Sequence, residues 1–141
     1  MCQKLQPLHI LDIFSNLSKE SVGLVNIEKQ VKEVVELADQ KKALHVTVYK
    51  PHDTSVTDFI VIMGVQNPIH AKSLLQEIDK CMTVQIRNNG EGVSPRMSGD
   101  TESGWMILDS GVMIVHVISE SIRDHYQLDE WFSKRAVVYH I

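Results

Sequence analysis

The sequence predicts an α/β fold in which helices pack on a mixed sheet, and three observations predict it. Residues 57–64 and 105–117 hold apolar runs that are too short to cross a membrane and are typical of buried strands. A helical repeat of apolar residues precedes the first run. Helical and strand patterns then follow one another along 141 residues, a length that suits one domain. The predicted element order is α-β-β-α-β-β-α.

The amino-terminal part is predicted to be an extension over residues 1–24, followed by one domain over residues 25–135 and a tail over residues 136–141. Within the extension, residues 8–17 suit a short amphipathic helix that folds against a neighbour. Asn26 is a good N-cap and is the predicted start of the first domain helix. Apolar residues then recur on one helical face, at Ile27, Val31, Val34, Val35 and Ala38.

Two strands and a helix follow. Residues 44–49 alternate and are rich in β-branched side chains, which predicts a strand. Residues 58–63 are apolar on both faces, which favours a central strand. Asn67 and Pro68 supply an N-cap and a first helical residue, so a second helix is predicted to run from there to about Gly90.

The last third of the domain is predicted as a hairpin and a helix. Residues 91–104 are rich in Gly and indicate a loop or an irregular edge. The strands over residues 105–109 and 112–119 are separated by Ser110-Gly111, which predicts a tight antiparallel hairpin. Ser119 is the predicted cap of a last helix, and the tail from Ala136 suits an added edge strand.

Composition limits the classes of partner and location. A net charge of −4 with no large Lys/Arg cluster disfavours a protein held on nucleic acid, so little direct nucleic-acid contact is expected. No apolar run reaches the length of a membrane span, and no membrane contact is expected. Two cysteines without close spacing favour a reduced compartment. We expect a cytoplasmic protein, or one in an organelle derived from bacteria.

Residues for catalysis or metal binding are hard to find. The seven His show no metal-ligand spacing, and no phosphate-binding Gly motif occurs, so no metal and no cofactor is expected. Asp58 and Asp109 remain as carboxylates at the ends of strands. Each has an alternative role in capping a strand end or bonding the backbone N–H groups of a turn.

One strand face carries the candidate partner-binding residues. Alternation along the strand places Trp105, Ile107 and Asp109 on the same face. This mixture is too polar for a deep core and too apolar for plain solvent, and it suits a protein contact with an aromatic anchor. Arg96 and Asp58 are added as charged candidates for the same contact.

The chain also resembles the ribosomal silencing factor family, which is also called the Iojap family, over roughly residues 27–132. The resemblance rests on an ordered series: Thr57-Asp58-Phe59, then His70 and Lys72, then residues 105–117 from the Trp to the His-Val, then Arg123, Tyr126, Leu128 and Asp129. Any one match is weak, and the ordered series is specific. The chain departs from the family pattern at Val112, where the family has Asp after the Gly.

The resemblance implies a nucleotidyltransferase-like fold without catalysis. It implies binding to the large ribosomal subunit at ribosomal protein L-fourteen, which blocks joining of the small subunit and represses translation when nutrients are short. It also makes a homodimer plausible. Two alternatives stay open: a metal-dependent nucleotidyl- or phosphoryl-transfer enzyme that uses Asp58 and Asp109, and a small structural assembly module that forms a dimer through the sheet edge or the helices.

Overall fold

The computed structural model describes residues 22–90 and 94–140, which form a six-stranded mixed sheet with helices on both faces. The helices are α1 (Val22–Gln40), α2 (Pro68–Asn88), α3 (Glu120–His125) and α4 (Leu128–Ser133). The strands are β1 (Leu44–Pro51), β2 (Phe59–Val65), β3 (Arg96–Asp100), β4 (Trp105–Asp109), β5 (Met113–Ser119) and β6 (Ala136–His140). The predicted fold class is confirmed. The predicted helix over residues 8–17 lies outside the described residues.

The strands lie in the order β3-β4-β5-β2-β1-β6. Among the six strands of the described residues, only β2 and β5 are paired in parallel, and α2 lies in the crossover between them, as a parallel connection requires. The central position predicted for β2 is confirmed, and so is the antiparallel hairpin of β4 and β5. The predicted edge strand in the tail is also confirmed, because β6 pairs with β1 and closes that side of the sheet.

Three element boundaries differ from the prediction. The first helix begins at Val22 and not at Asn26, because apolar residues before Asn26 continue the helix. Residues 96–100 form the edge strand β3, where the sequence predicted a loop or an irregular edge; all five residues are exposed, so no alternating pattern marks a strand. The last helix is two short helices, α3 and α4, because Gln127 between them adopts a left-handed backbone with φ of 49°.

The two faces of the sheet are covered very differently. The first face is sealed by α1 and α2, whose inner side chains meet those of all the central strands in the larger apolar cluster. On the second face, α3 and α4 cover only part of the sheet. The smaller apolar cluster there consists of the buried residues Tyr49, Ile62, Ile118, Leu128 and Ala136.

A buried arginine fixes α3 and α4 to the second face. The Arg123 side chain donates to both carboxylate oxygens of Asp129, at 2.7 and 3.0 Å. It also donates to Thr47 Oγ1 on β1 at 3.2 Å, and the Tyr49 hydroxyl donates to the same Asp129 carboxylate. Charge-assisted bonds of this kind are stronger than neutral ones. This network therefore defines which part of the second face stays open.

Candidate functional site

The second face is arranged in rows that cross the strands. In one row Arg96 of β3 lies opposite Asp109 of β4, and Asp109 lies opposite Ile114 of β5. Ile114 in turn lies opposite Ile60 of β2. In the next row Ile107 of β4 lies opposite the buried His116 of β5. The register thus brings the candidates Arg96, Ile107 and Asp109 together near one edge of the sheet.

Three isoleucines form an incompletely covered strip on this face. Ile60, Ile107 and Ile114 are all partly exposed, and each belongs to a different strand of the sheet. Ile107 and Ile114 are packed into neither apolar cluster. We call these three residues the isoleucine strip. It is an apolar surface with Asp109 and Arg96 on its β3 side.

Trp105 lies at the opposite end of β4 from Asp109, and its side chain packs against neighbouring residues. Its indole Nε1 donates a hydrogen bond to His116 Nδ1 at 3.0 Å. Its ring also lies 5.4 Å, centre to centre, from the ring of Tyr126 just after α3. Trp105 is therefore half-buried between the sheet and the α3–α4 corner.

His116 is the buried polar group beneath this part of the face. It is 7% exposed, and its ring packs 5.7 Å from that of Phe132. Burial disfavours the charged imidazolium and lowers the pKa of His116 from 6.5 to about 4. A neutral His116 accepts the Trp105 indole N–H, so His116 is a hydrogen-bonded histidine of the protein interior.

Asp109 closes the turn between β4 and β5. Its Oδ1 accepts a hydrogen bond from Gly111 N at 2.8 Å, and Gly111 has a φ of 94° that favours glycine. The Asp109 carboxylate that bonds to the turn is therefore the same group that was predicted to contact a partner. Arg96 lies across from it on β3 with an exposed side chain.

Asp58 lies at the same end of the sheet as Asp109, but the start of β5 separates them. Its backbone N–H donates to Val112 O at 3.2 Å, which joins the start of β2 to the start of β5. The structure thus places Asp58 beside the hairpin turn and away from Trp105. No group of three His, Cys, Asp or Glu side chains that would hold a metal ion occurs within residues 22–90 and 94–140.

A groove beside the isoleucine strip was not predicted. It has a volume of about 410 Å³ and is mostly apolar. We call it the apolar groove. It is lined by Pro51, His52, Asp53, Val56, Thr57, Ile60, Ile114, Trp131, Phe132, Arg135 and Ala136. The Arg135 guanidinium stacks 3.8 Å from the centre of the Trp131 ring. Apolar patterning marks such strand residues as buried and does not reveal which of them a short helix leaves uncovered.

A known protein family matches the part of the chain that forms this fold. The family model described as Ribosomal silencing factor during starvation matches residues 25–139. The chain belongs to the ribosomal silencing factor family. Membership supports a role in regulating translation in association with ribosomes, and the family resemblance of the sequence motifs is confirmed.

This silencing factor is similar to two proteins at low sequence identity. It is 26% identical over 136 residues to the Arabidopsis thaliana protein named Protein Iojap-related, mitochondrial. The aligned region covers 94% of this chain and 73% of that protein. It is also 26% identical over 101 residues to an uncharacterized protein of Caenorhabditis elegans, with 70% of this chain and 53% of that protein covered.

Two crystal structures share the fold. A Chromobacterium violaceum protein superposes with a TM-score of 0.64 at 19% identity, over 76% of this silencing factor and 86% of that chain. A Bacillus halodurans protein superposes with a TM-score of 0.59 at 22% identity, over 78% of this silencing factor and 97% of that chain. The likeness shows the fold alone, and the nucleotidyltransferase-like label stays a prediction. No helix within the described residues is long and apolar enough to span a membrane.

Proposed function

We propose that this silencing factor binds the large ribosomal subunit at ribosomal protein L-fourteen. A protein seated there blocks joining of the small subunit and represses translation under nutrient limitation. The mechanism is occupancy of a surface, so affinity and position matter and no chemical step is needed. In this proposal the chain is not an enzyme and needs no cofactor or metal.

The isoleucine strip is the observation that carries the proposal. Apolar side chains on a flat sheet face are costly to leave in water, and a docked protein would remove them from it. The strip has an apolar centre and a charged margin at Asp109 and Arg96, which is the usual anatomy of a protein interface. The net charge of −4 supports a basic protein surface as the partner rather than bare RNA.

The candidate residues take different parts in this interface. Ile107 and its neighbours in the strip supply the apolar contact, and Asp109 and Arg96 flank it. Trp105 lies at the other end of β4, where it contacts His116 and Tyr126. Asp58 lies at the margin beside the hairpin turn. The homodimer and the cytoplasmic location remain predictions that follow from the resemblance and from the composition.

A substitution in the strip tests the proposal. Ile107→Lys places a charge in the apolar centre and should weaken large-subunit binding at least tenfold, because a buried unpaired charge is costly. Ile69→Lys is the matched control, since Ile69 is an isoleucine on α2 with 83% exposure, away from the strip. Pelleting with purified large subunits measures both variants, and circular dichroism checks their folding.

The outcome depends on the difference between the two variants. Binding lost in folded Ile107→Lys and kept in Ile69→Lys supports docking through the strip. Equal binding by both variants would remove the strip from the interface. In that case the family role would need another surface of the same molecule.

A further inference from the structure

The apolar groove and the isoleucine strip form one continuous apolar surface. Ile60 and Ile114 belong to both, and Ile107 extends the same surface onto β4. A protein that covers the strip therefore also lies against the open side of the groove. We propose that the large-subunit protein that covers the strip inserts an apolar side chain into the apolar groove. This inference rests on the proposed function and adds a second contact to it.

The groove has a floor of strand residues and two walls. Ile60, Ile114 and Ala136 come from β2, β5 and β6 and form the floor. One wall is α4 with Trp131, and the other wall is the loop of residues 52–57. Because the floor continues into the strip, a side chain that projects from a docked protein can enter between the walls.

Hydrogen bonds within this chain hold the loop wall in place. His52 N donates to Arg135 O at 3.0 Å, which joins the loop to the chain just after α4. The hydroxyl of the buried Thr57 donates to Phe59 O at 3.2 Å, which fixes the other end of the loop to the start of β2. The groove is thus formed before a partner arrives, and a preformed site loses little conformational freedom on binding.

The walls favour an apolar occupant. Val56 on the loop wall is 76% exposed, and Trp131 on the helix wall is 50% exposed. Burying such side chains against a large aliphatic or aromatic side chain removes apolar surface of both partners from water. Leucine, methionine and phenylalanine have the required chemistry.

The charges beside the groove favour a basic residue next to that apolar side chain. The Asp53 carboxylate on the loop wall accepts from Ser55 N at 3.0 Å, which lowers the pKa of Asp53 and keeps it negatively charged. The Arg135 guanidinium is held against the helix wall, where it stacks on Trp131 and donates to Trp131 O. A lysine or arginine of the partner would complement Asp53, in agreement with the net charge of −4.

A substitution at the loop wall tests the contact. Val56→Asp should weaken large-subunit binding about fivefold, because it places a carboxylate where an apolar side chain is buried. A new negative charge would otherwise attract a basic partner, so the loss reports the apolar contact. Val84→Asp is the matched control, since Val84 is 53% exposed on α2, away from the groove. Pelleting with large subunits measures binding, and circular dichroism checks folding.

Photo-crosslinking identifies the occupant. Benzoylphenylalanine in place of Val56 should link this chain to a large-subunit protein on illumination. The same residue in place of Ile107 should link to the same protein, and in place of Val84 it should link to none. Mass spectrometry of the linked peptide should find the crosslink from position 56 at or beside an apolar residue with a lysine or arginine nearby.

The failure of this inference can be told apart from failure of the proposed function. Unsubstituted protein that does not pellet with large subunits would remove the proposed function and this inference with it. Binding that is lost in Ile107→Lys but kept in Val56→Asp would overturn the groove contact alone. Equal losses in Val56→Asp and Val84→Asp, or a crosslink from position 56 to a different protein, would also overturn it.

Discussion

At the scale of single residues, Trp105 and His116 form a polar contact inside a largely apolar part of the molecule. The tryptophan donates its indole N–H to the histidine, and both rings pack against aromatic side chains of the α3–α4 corner. The sequence placed Trp105 on a mixed strand face, and that placement is correct. The partner of its N–H was not predictable, because His116 reaches it only through the register of β4 with β5.

The burial of His116 makes stability depend on pH. The unfolded chain protonates this imidazole near pH 6.5, whereas the folded protein resists protonation down to about pH 4. Between these values the unfolded state binds more protons, so the free energy of unfolding falls as the pH falls. We expect a loss of about 2 kcal/mol between pH 7 and pH 5, at roughly 1.4 kcal/mol for each pKa unit.

Urea unfolding of His116→Gln at both pH values measures this effect. The glutamine keeps an acceptor for the Trp105 N–H and cannot titrate, so the loss of stability between pH 7 and pH 5 should shrink. His125→Gln, which changes an exposed histidine, should keep the full loss. An undiminished loss in His116→Gln would assign the acid sensitivity to another group.

Asp109 can be tested for its two roles with two substitutions. Asp109→Asn keeps an oxygen for the Gly111 N–H and removes the charge, so it should leave thermal stability nearly unchanged and weaken subunit binding modestly. Asp109→Lys loses the acceptor and reverses the charge, so it should cost about 1 kcal/mol and abolish binding. Thermal unfolding and pelleting on both variants separate these effects. Full binding by both variants would leave Asp109 with the turn role alone.

At the scale of elements, helices and strands were predicted correctly where they bury apolar side chains in the core. The helical spacing in α1 and α2 and the apolar runs of β2 and β5 come from the core that they share. The strand β3 was missed because it packs nothing and is held by its pairing with β4 alone. The break between α3 and α4 was missed because Gln127 carries no signal for its left-handed backbone.

Gly99 explains how β3 pairs so closely with β4. Its φ is 84°, and a Cβ at this position would lie 2.2 Å from Trp105 O. Gly111 has a similar φ of 94° with open space around it. Gly111→Ala should therefore cost about 1 kcal/mol from backbone strain, and Gly99→Ala should cost more because it also pushes β3 away from β4.

Hydrogen exchange of the backbone amides shows which strands each glycine substitution destabilises. In Gly99→Ala the amides of residues 96–100 should exchange faster, while those of β2 and β5 keep their protection. Gly111→Ala should leave the exchange of β3 unchanged. Equal effects of the two substitutions would show that the close approach to Trp105 contributes nothing.

At the scale of the whole molecule, the sheet has one sealed face and one open face. Helices α1 and α2 complete the core on the first face, and the Arg123 network holds α3 and α4 over part of the second. The sequence predicted the sheet and the family, and it named five candidate residues, of which Arg96, Ile107 and Asp109 meet on the open face. It did not predict the isoleucine strip as a unit, because that surface exists only where strands from separate parts of the chain meet.

We propose that this molecule acts by occupying the large ribosomal subunit. Sedimentation of the purified protein with separated subunits, followed by mixing of the two subunits, tests it directly. We expect the protein to pellet with the large subunit only and to reduce the fraction of joined ribosomes in proportion to the amount bound. Pelleting with the small subunit, or full joining of subunits in the presence of bound protein, would contradict the claim.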